Sequence, residues 1–149
     1  MRKICNNFAK SIKSKAMENT EKIKLAGLKL TPQRTAVYNA MTTLRHAKLD
    51  EIVDFLNKEG NMMTLSTIYR ILESFCKANL LSLVCRPDTG ECYYDITVKE
   101  HHHVFEKGSI VDFDDQELTN IVLDYLKKKN PELKDIERVQ VQIIKQNKQ

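Results

Sequence analysis

LKLTPQRTAVYNAMTTLRHAKLDEIVDFLNKEGNMMTLSTIYRILESFCKANLL, residues 28–81, decides the fold. Its last helical segment opens at Thr64-Leu65-Ser66-Thr67-Ile68-Tyr69-Arg70-Ile71-Leu72. At helical spacing, Leu65, Ile68, Leu72 and Phe75 share one face. Thr67, Arg70 and Ser74 fall on another, with Ser66, Tyr69 and Glu73 beside them. Upstream, Thr31-Pro32 has the form of a helix start: threonine caps free N–H groups and proline suits the first helical position. Val37, Ala40, Met41 and Leu44 then make one buried stripe, and Arg45-His46-Ala47 reads as an exit loop. A further helix begins near Asp50, with Ile52, Val53, Phe55 and Leu56 inward and Gly60 as its stop. Three helices with brief connections, the last with a polar outer face, predict a helix-turn-helix.

Downstream the period changes. Leu81–Arg86 and Glu91–Ile96 read as strands around the turn Pro87-Asp88-Thr89-Gly90, which makes the wing of a winged helix. The remainder offers strand-like Glu100–Phe105 and Ser109–Phe113, then a helix from Asp115 to Lys129. That helix is expected to bury Leu118, Ile121, Val122, Tyr125 and Leu126. A strand in which Val139, Val141 and Ile143 alternate with glutamines closes the chain. Upstream, residues 1–20 read as a basic arm or a frayed helix, and a short helix from Glu21 stops at Gly27. The expected class is α+β: a basic arm (1–20), a winged-helix domain (21–92) and a small α/β domain (93–149). The last unit is small for independent stability, so pairing with a second copy is expected.

With 42% apolar residues the 149-residue chain can build a core. No apolar run reaches membrane-span length and no secretory h-region opens the chain, so a cytoplasmic protein is expected. Residues 1–90 carry 15 basic against 8 acidic side chains, and residues 91–149 carry 9 against 12. A basic half joined to an acidic half suggests that the first half meets a polyanion, although an ordinary solvated surface has the same composition. Cys5, Cys76, Cys85 and Cys92 include no Cys-x-x-Cys pair and read as reduced thiols.

Three of the four histidines sit together in Glu100-His101-His102-His103. On a strand His101 and His103 face one way and His102 the other, so two imidazoles share a face. With Asp95 before them, Asp112 after them and His46 in the basic half, they suggest a metal site that bolts the halves together. Metal would then set the spacing of two reading helices in a dimer. An exposed polar strand or a chance metal-affinity patch is the plainer reading of the triplet. Two histidines and a carboxylate also bind iron in oxygenases, but no substrate pocket, phosphate loop or nucleophile elbow accompanies them. A tyrosine and an arginine on a helix often only cover a core; here the context favours DNA.

Four motifs occur in order: Ala26-Gly27-Leu28-Lys29-Leu30-Thr31-Pro32-Gln33-Arg34, then Ser66-Thr67-Ile68-Tyr69-Arg70-Ile71-Leu72, then Tyr94-Asp95 leading to His101-His102-His103, then Ile110-Val111-Asp112-Phe113. Through them the chain resembles the ferric uptake regulator (Fur) superfamily, which includes the peroxide regulator PerR and the zinc regulator Zur. The resemblance spans residues 22–145. It implies a homodimeric regulator, usually a repressor of metal-uptake or peroxide-stress genes, that grips an A·T-rich inverted repeat in double-stranded DNA when metal is bound. By position, His46, Asp95, His101, His103 and Asp112 match the family's regulatory site for Fe2+, Mn2+ or Zn2+, one per subunit. The two aspartates resemble the PerR pattern, in which bound iron lets peroxide oxidise histidine ligands. Tyr69 and Arg70 match the major-groove contacts and Lys29 the minor-groove contact; Arg34, Ser66 and Thr67 complete the expected DNA-binding set. The run His103–Gly108 is shorter than in most members and lacks their Cys-x-x-Cys, so no tetrathiolate structural zinc is expected. No histidine follows His103, which leaves His102 with Glu100 or Glu117 as a remnant of the family's further site. Two rivals remain: a winged-helix regulator with a vestigial metal site, answering to thiol oxidation or another ligand, and a small iron enzyme.

Overall fold

In the computed structural model, residues 2–96 and 101–146 are described, residues 2–12 by their backbone alone. Two units result, Met1–Val98 and Lys99–Gln149. Met1, at the head of the expected arm, and Glu100, expected to open a strand and offered for a remnant site, lie outside the described residues.

The first unit holds four helices and a small sheet. Helix α1 spans Arg2–Leu25, so most of the expected arm is helical backbone. It stops as the sequence predicts: Gly27 takes φ +77°, the Leu28 N–H reaches the Ile23 carbonyl and the Gly27 N–H reaches Lys24. Helix α2, Pro32–Leu44, is capped by the Thr31 hydroxyl, which accepts from the Arg34 N–H. Strand β1, His46–Ala47, lies in the expected exit loop, and helix α3, Leu49–Lys58, follows. Helix α4, Leu65–Lys77, starts at Thr64, whose hydroxyl accepts from the Thr67 N–H. It ends at Asn79, which adopts a left-handed φ of 57° that the sequence reading did not assign.

The helices share one core. Val37 and Met41 from α2, Ile52 and Leu56 from α3, and Ile68, Leu72 and Phe75 from α4 are buried together with Ile23 and Tyr94. Each such side chain contributes roughly 1.5–3 kcal/mol of burial. The Tyr38 and Phe75 rings meet edge-on, 5.6 Å apart. Buried Asn19 ties α1 to α2 by donating to Asn39 Oδ1 at 2.8 Å. Leu65 departs from its expected place: it is 58% exposed, and Ile71 takes the buried position instead. At the first residue of α4 the helix has not yet reached its neighbours.

Strands β2, Ser82–Cys85, and β3, Cys92–Asp95, form the expected hairpin. The sheet order is β1-β3-β2 and every pairing is antiparallel. At the tip, Arg86 donates to both carboxylate oxygens of Asp88, each at 2.9 Å. That guanidinium holds the Asp88 carboxyl below its usual pKa. Beside the same turn, the Lys48 ammonium bridges Glu91 at 2.6 Å and holds its carboxyl low likewise.

The expectation of four reduced thiols is corrected by the hairpin. Cys85 and Cys92 are register partners joined by a disulfide, seven residues apart. The physical reason is the turn: Arg86 and Glu91 close it through a backbone bond, and the next pair outward is 85 with 92. That pair is of the non-hydrogen-bonded kind, in which antiparallel side chains stand closest. A search for Cys-x-x-Cys spacing does not address two cysteines facing each other across a turn. In the chain-entropy account so short a ring removes about 2–3 kcal/mol of unfolded-state freedom. Cys76 keeps a free thiol.

The second unit contains β4, His102–Glu106; β5, Ser109–Phe113; α5, Gln116–Lys129; and β6, Gln142–Ile144. Its sheet order is β5-β4-β6, with β4–β5 antiparallel and β4–β6 parallel. Asp115 caps α5 by accepting from the Leu118 N–H at 2.9 Å. The expected inward stripe of α5 is only partly covered: Ile121 is 58% and Tyr125 59% exposed. The buried α5 residue is Thr119. Ile143 and Ile144 of β6 and Val111 of β5 are exposed as well. A three-stranded sheet with one helix has too little surface to enclose these side chains within one chain.

Candidate metal centre and nucleic-acid interface

Each unit assembles its own share of the five histidines and aspartates. In the first, His46 and Asp95 are register partners across β1 and β3. The His46 Nε2 lies 3.4 Å from Asp95 Oδ1, and Asp95 is fully buried. A buried carboxylate is costly unless a cation or hydrogen-bond donors face it. Arg45 precedes the pair at φ 68°, ψ −60°, an unfavourable conformation for a side-chain-bearing residue. Its carbonyl accepts from the Ile96 N–H, which extends the β1–β3 pairing and offsets the strain.

In the second unit the antiparallel register sets His103 opposite Asp112. His101, two residues before His103, faces the same side. The two Nε2 atoms are 2.9 Å apart, and each lies 3.4 Å from Asp112 Oδ1. The ligand atoms of His101, His103 and Asp112 thus lie within 3.4 Å of one another. Nitrogen and carboxylate lone pairs aimed at a common point repel one another unless something positive is shared between them. The donor set fits a first-row divalent ion bound by imidazole and carboxylate.

His102 faces the other side and is fully engaged there. Its Nδ1 accepts from the Val141 N–H at 3.0 Å, which places the ring proton on Nε2. Nε2 lies 2.9 Å from the Thr119 hydroxyl, which in turn donates to the Asp115 carbonyl at 3.2 Å. One ring thereby ties β4 to the approach to β6 and to the first turn of α5. This link escaped the sequence reading, although a threonine one turn after the capping Asp115 was a visible partner for a buried ring.

The expected DNA contacts all lie in the first unit. On α4, Tyr69 is 52% exposed, and Ser66 and Arg70 are exposed too. Thr67 is half-buried, with its hydroxyl 2.8 Å from that of Thr64; Ser66 Oγ lies 3.2 Å from the same oxygen. The hydroxyls of Ser66 and Thr67 therefore belong to the helix cap, while Tyr69 and Arg70 stand clear of it. Lys29 is exposed in the α1–α2 loop, and Arg34 donates to the Lys29 carbonyl at 2.7 Å. Arg34 thus braces the loop that presents Lys29. Among the described residues no helix is long and apolar enough to cross a membrane.

Comparison with known proteins gives a consistent result. The model of the ferric uptake regulator family matches residues 25–142. A ferric uptake regulation protein homolog of Archaeoglobus fulgidus is 35% identical over 108 residues, covering 71% of this chain and 80% of the relative. The peroxide-responsive repressor PerR of Staphylococcus aureus is 27% identical over 114 residues, covering 74% and 76%. The Vibrio cholerae ferric uptake regulator has the same fold, with a TM-score of 0.73 at 21% identity over 87% of this chain and 99% of that one.

Proposed function

Because this chain belongs to the ferric uptake regulator family, we propose that it binds double-stranded DNA as a homodimer and represses metal-uptake or peroxide-stress genes when metal is bound. The chain is a metal-responsive DNA-binding regulator of transcription and not an enzyme. The observation that carries the reading is His101, His103 and Asp112 converging on one face of β4–β5, in a chain whose α4 exposes Tyr69 and Arg70.

In this reading His46, Asp95, His101, His103 and Asp112 are the ligands of one regulatory Fe2+, Mn2+ or Zn2+ per subunit. The ion supplies a fixed coordination sphere and two positive charges. Its ligands come from both units, so loading would couple them and set how two copies of α4 are spaced. The first unit carries DNA binding, with residues 1–20 as its basic arm, and the second unit carries dimerisation and sensing. Exposed Val111, Ile121, Tyr125, Ile143 and Ile144 supply apolar surface for a second copy. Tyr69 and Arg70 read bases in the major groove of an A·T-rich inverted repeat, Lys29 enters the minor groove, and Arg34, Ser66 and Thr67 support them. The basic residues of the first unit supply phosphate contacts, so affinity falls as salt rises.

The test is binding of metal-stripped protein to duplexes from its own promoter region and from a selected library, at one salt concentration. Binding in Mn2+, Fe2+ or Zn2+ that is lost in chelator is the expected result. Binding of equal strength in chelator would remove the metal from the reading.

A further inference from the structure

The wing carries chemistry that the metal reading leaves unused. Cys85 and Cys92 are both exposed, so a small reagent reaches either sulfur. They share a hairpin face with Leu83 and Tyr94.

We propose that Cys85 and Cys92 form a reversible dithiol–disulfide site that sets the freedom of the wing. Its effect on DNA affinity rests on the regulator reading above.

Both redox forms have a place in this structure. Without the sulfur bond, the hairpin keeps the Arg86–Asp88 fork, the Arg86 N–H bond to Glu91, the Gly90 N–H bond to Arg86 and the Lys48–Glu91 bridge. The Cys92 sulfur lies 3.4 Å from the Gly90 carbonyl, which would accept from a thiol. The first unit has its own helical core, and neither Cys85 nor Cys92 belongs to it. A structural staple would be expected where a core is missing, whereas this bond closes a solvent-exposed tip. Cys76 is the contrast: half-buried, with its thiol pushed up by burial and by Glu73, it is a poor source of thiolate.

The oxidant class is a low-molecular-weight disulfide such as oxidised glutathione. One wing thiolate attacks it, forming a mixed disulfide and releasing one glutathione. The other wing thiolate attacks the mixed disulfide and releases the second glutathione. Two electrons and two protons leave the wing, and two glutathione molecules are formed. The closed ring narrows the hairpin's motions, so less order remains to be imposed when DNA binds.

The experiment equilibrates the full-length protein in glutathione buffers from fully reduced to fully oxidised and counts alkylated thiols by mass spectrometry. Cys85 and Cys92 are expected to interconvert together while Cys76 stays a thiol. Amide exchange at Val84–Tyr93 is expected to quicken at least tenfold on reduction, and the C85S/C92S double variant is expected to match the reduced form. Duplex binding at fixed Mn2+ is expected to be two- to tenfold tighter for the disulfide form, with the double variant indifferent to the buffer. A pair that stays in one state across all buffers, or equal exchange in both states, would overturn the site. Equal duplex affinity of the two forms would overturn its regulatory effect. If neither form binds any duplex, the regulator reading fails, and the exchange rates still decide the switch.

Discussion

At the scale of single residues, the histidine triplet holds two different occupations. His101 and His103 turn toward Asp112, while His102 turns toward Thr119 and the Val141 N–H. His101→Ala removes one lone-pair donor from the metal group. It is expected to weaken metal binding at least tenfold in a competition titration and to shift the unfolding midpoint of metal-free protein only slightly. His102→Ala leaves the Val141 N–H without its acceptor and the Thr119 oxygen without the ring donor. It is expected to destabilise the second unit by about 2–4 kcal/mol, read by urea unfolding of metal-free protein. Equal effects of the two substitutions on stability would refute this division. Period-two alternation made His101 and His103 legible as a pair in the sequence. What His102 faced was not legible, because Thr119 and Val141 come from elements whose packing no local pattern specifies.

At the scale of elements, the turn chemistry of the hairpin was readable and its covalent closure was not. Pro87-Asp88-Thr89-Gly90 marked the turn, but only the register sets Cys85 against Cys92. The helix starts at Thr31 and Thr64 and the stops at Gly27 and Gly60 follow from local backbone needs, so sequence located them. Strand β1 falls where the sequence shows a loop, since two residues carry no period and exist as a strand only through pairing with β3. The hairpin's charges also give it a pH window. Asp88 and Glu91 have folded-state pKa values lowered by Arg86 and Lys48. Their contribution is fully present above the ordinary carboxylate range and is lost as pH falls through the lowered values. In the dithiol form, hairpin NMR resonances are expected to hold steady from pH 7 to 5 and to move toward disordered positions below pH 4. Movement that is complete by pH 6 would contradict the assignment of those contacts to the two carboxylates.

At the scale of the molecule, the two units differ in how much they cover themselves. The first closes a core around Phe75 and Met41, whereas the second leaves Ile121, Tyr125 and Ile143 in contact with solvent. The sequence pattern identified these as apolar-face residues but assigned them to an interior, because periodicity tells which face is apolar and not which chain covers it. A charge set on that surface is therefore the direct test of pairing. Tyr125→Glu is expected to convert a sedimenting dimer to monomer at micromolar concentration while its helical circular dichroism persists. A dimer that survives unchanged would move the subunit contact elsewhere. The alternation along β4 has a consequence for any mutational library of this protein. Variants at codons 101 and 103 should accumulate to normal cellular levels yet misreport the signal, while variants at codon 102 should be depleted by proteolysis before they can report anything. Three adjacent, identical letters would then sort into two phenotypes, in a one-two-one order that a sequence alignment by itself would show only as a run of histidines.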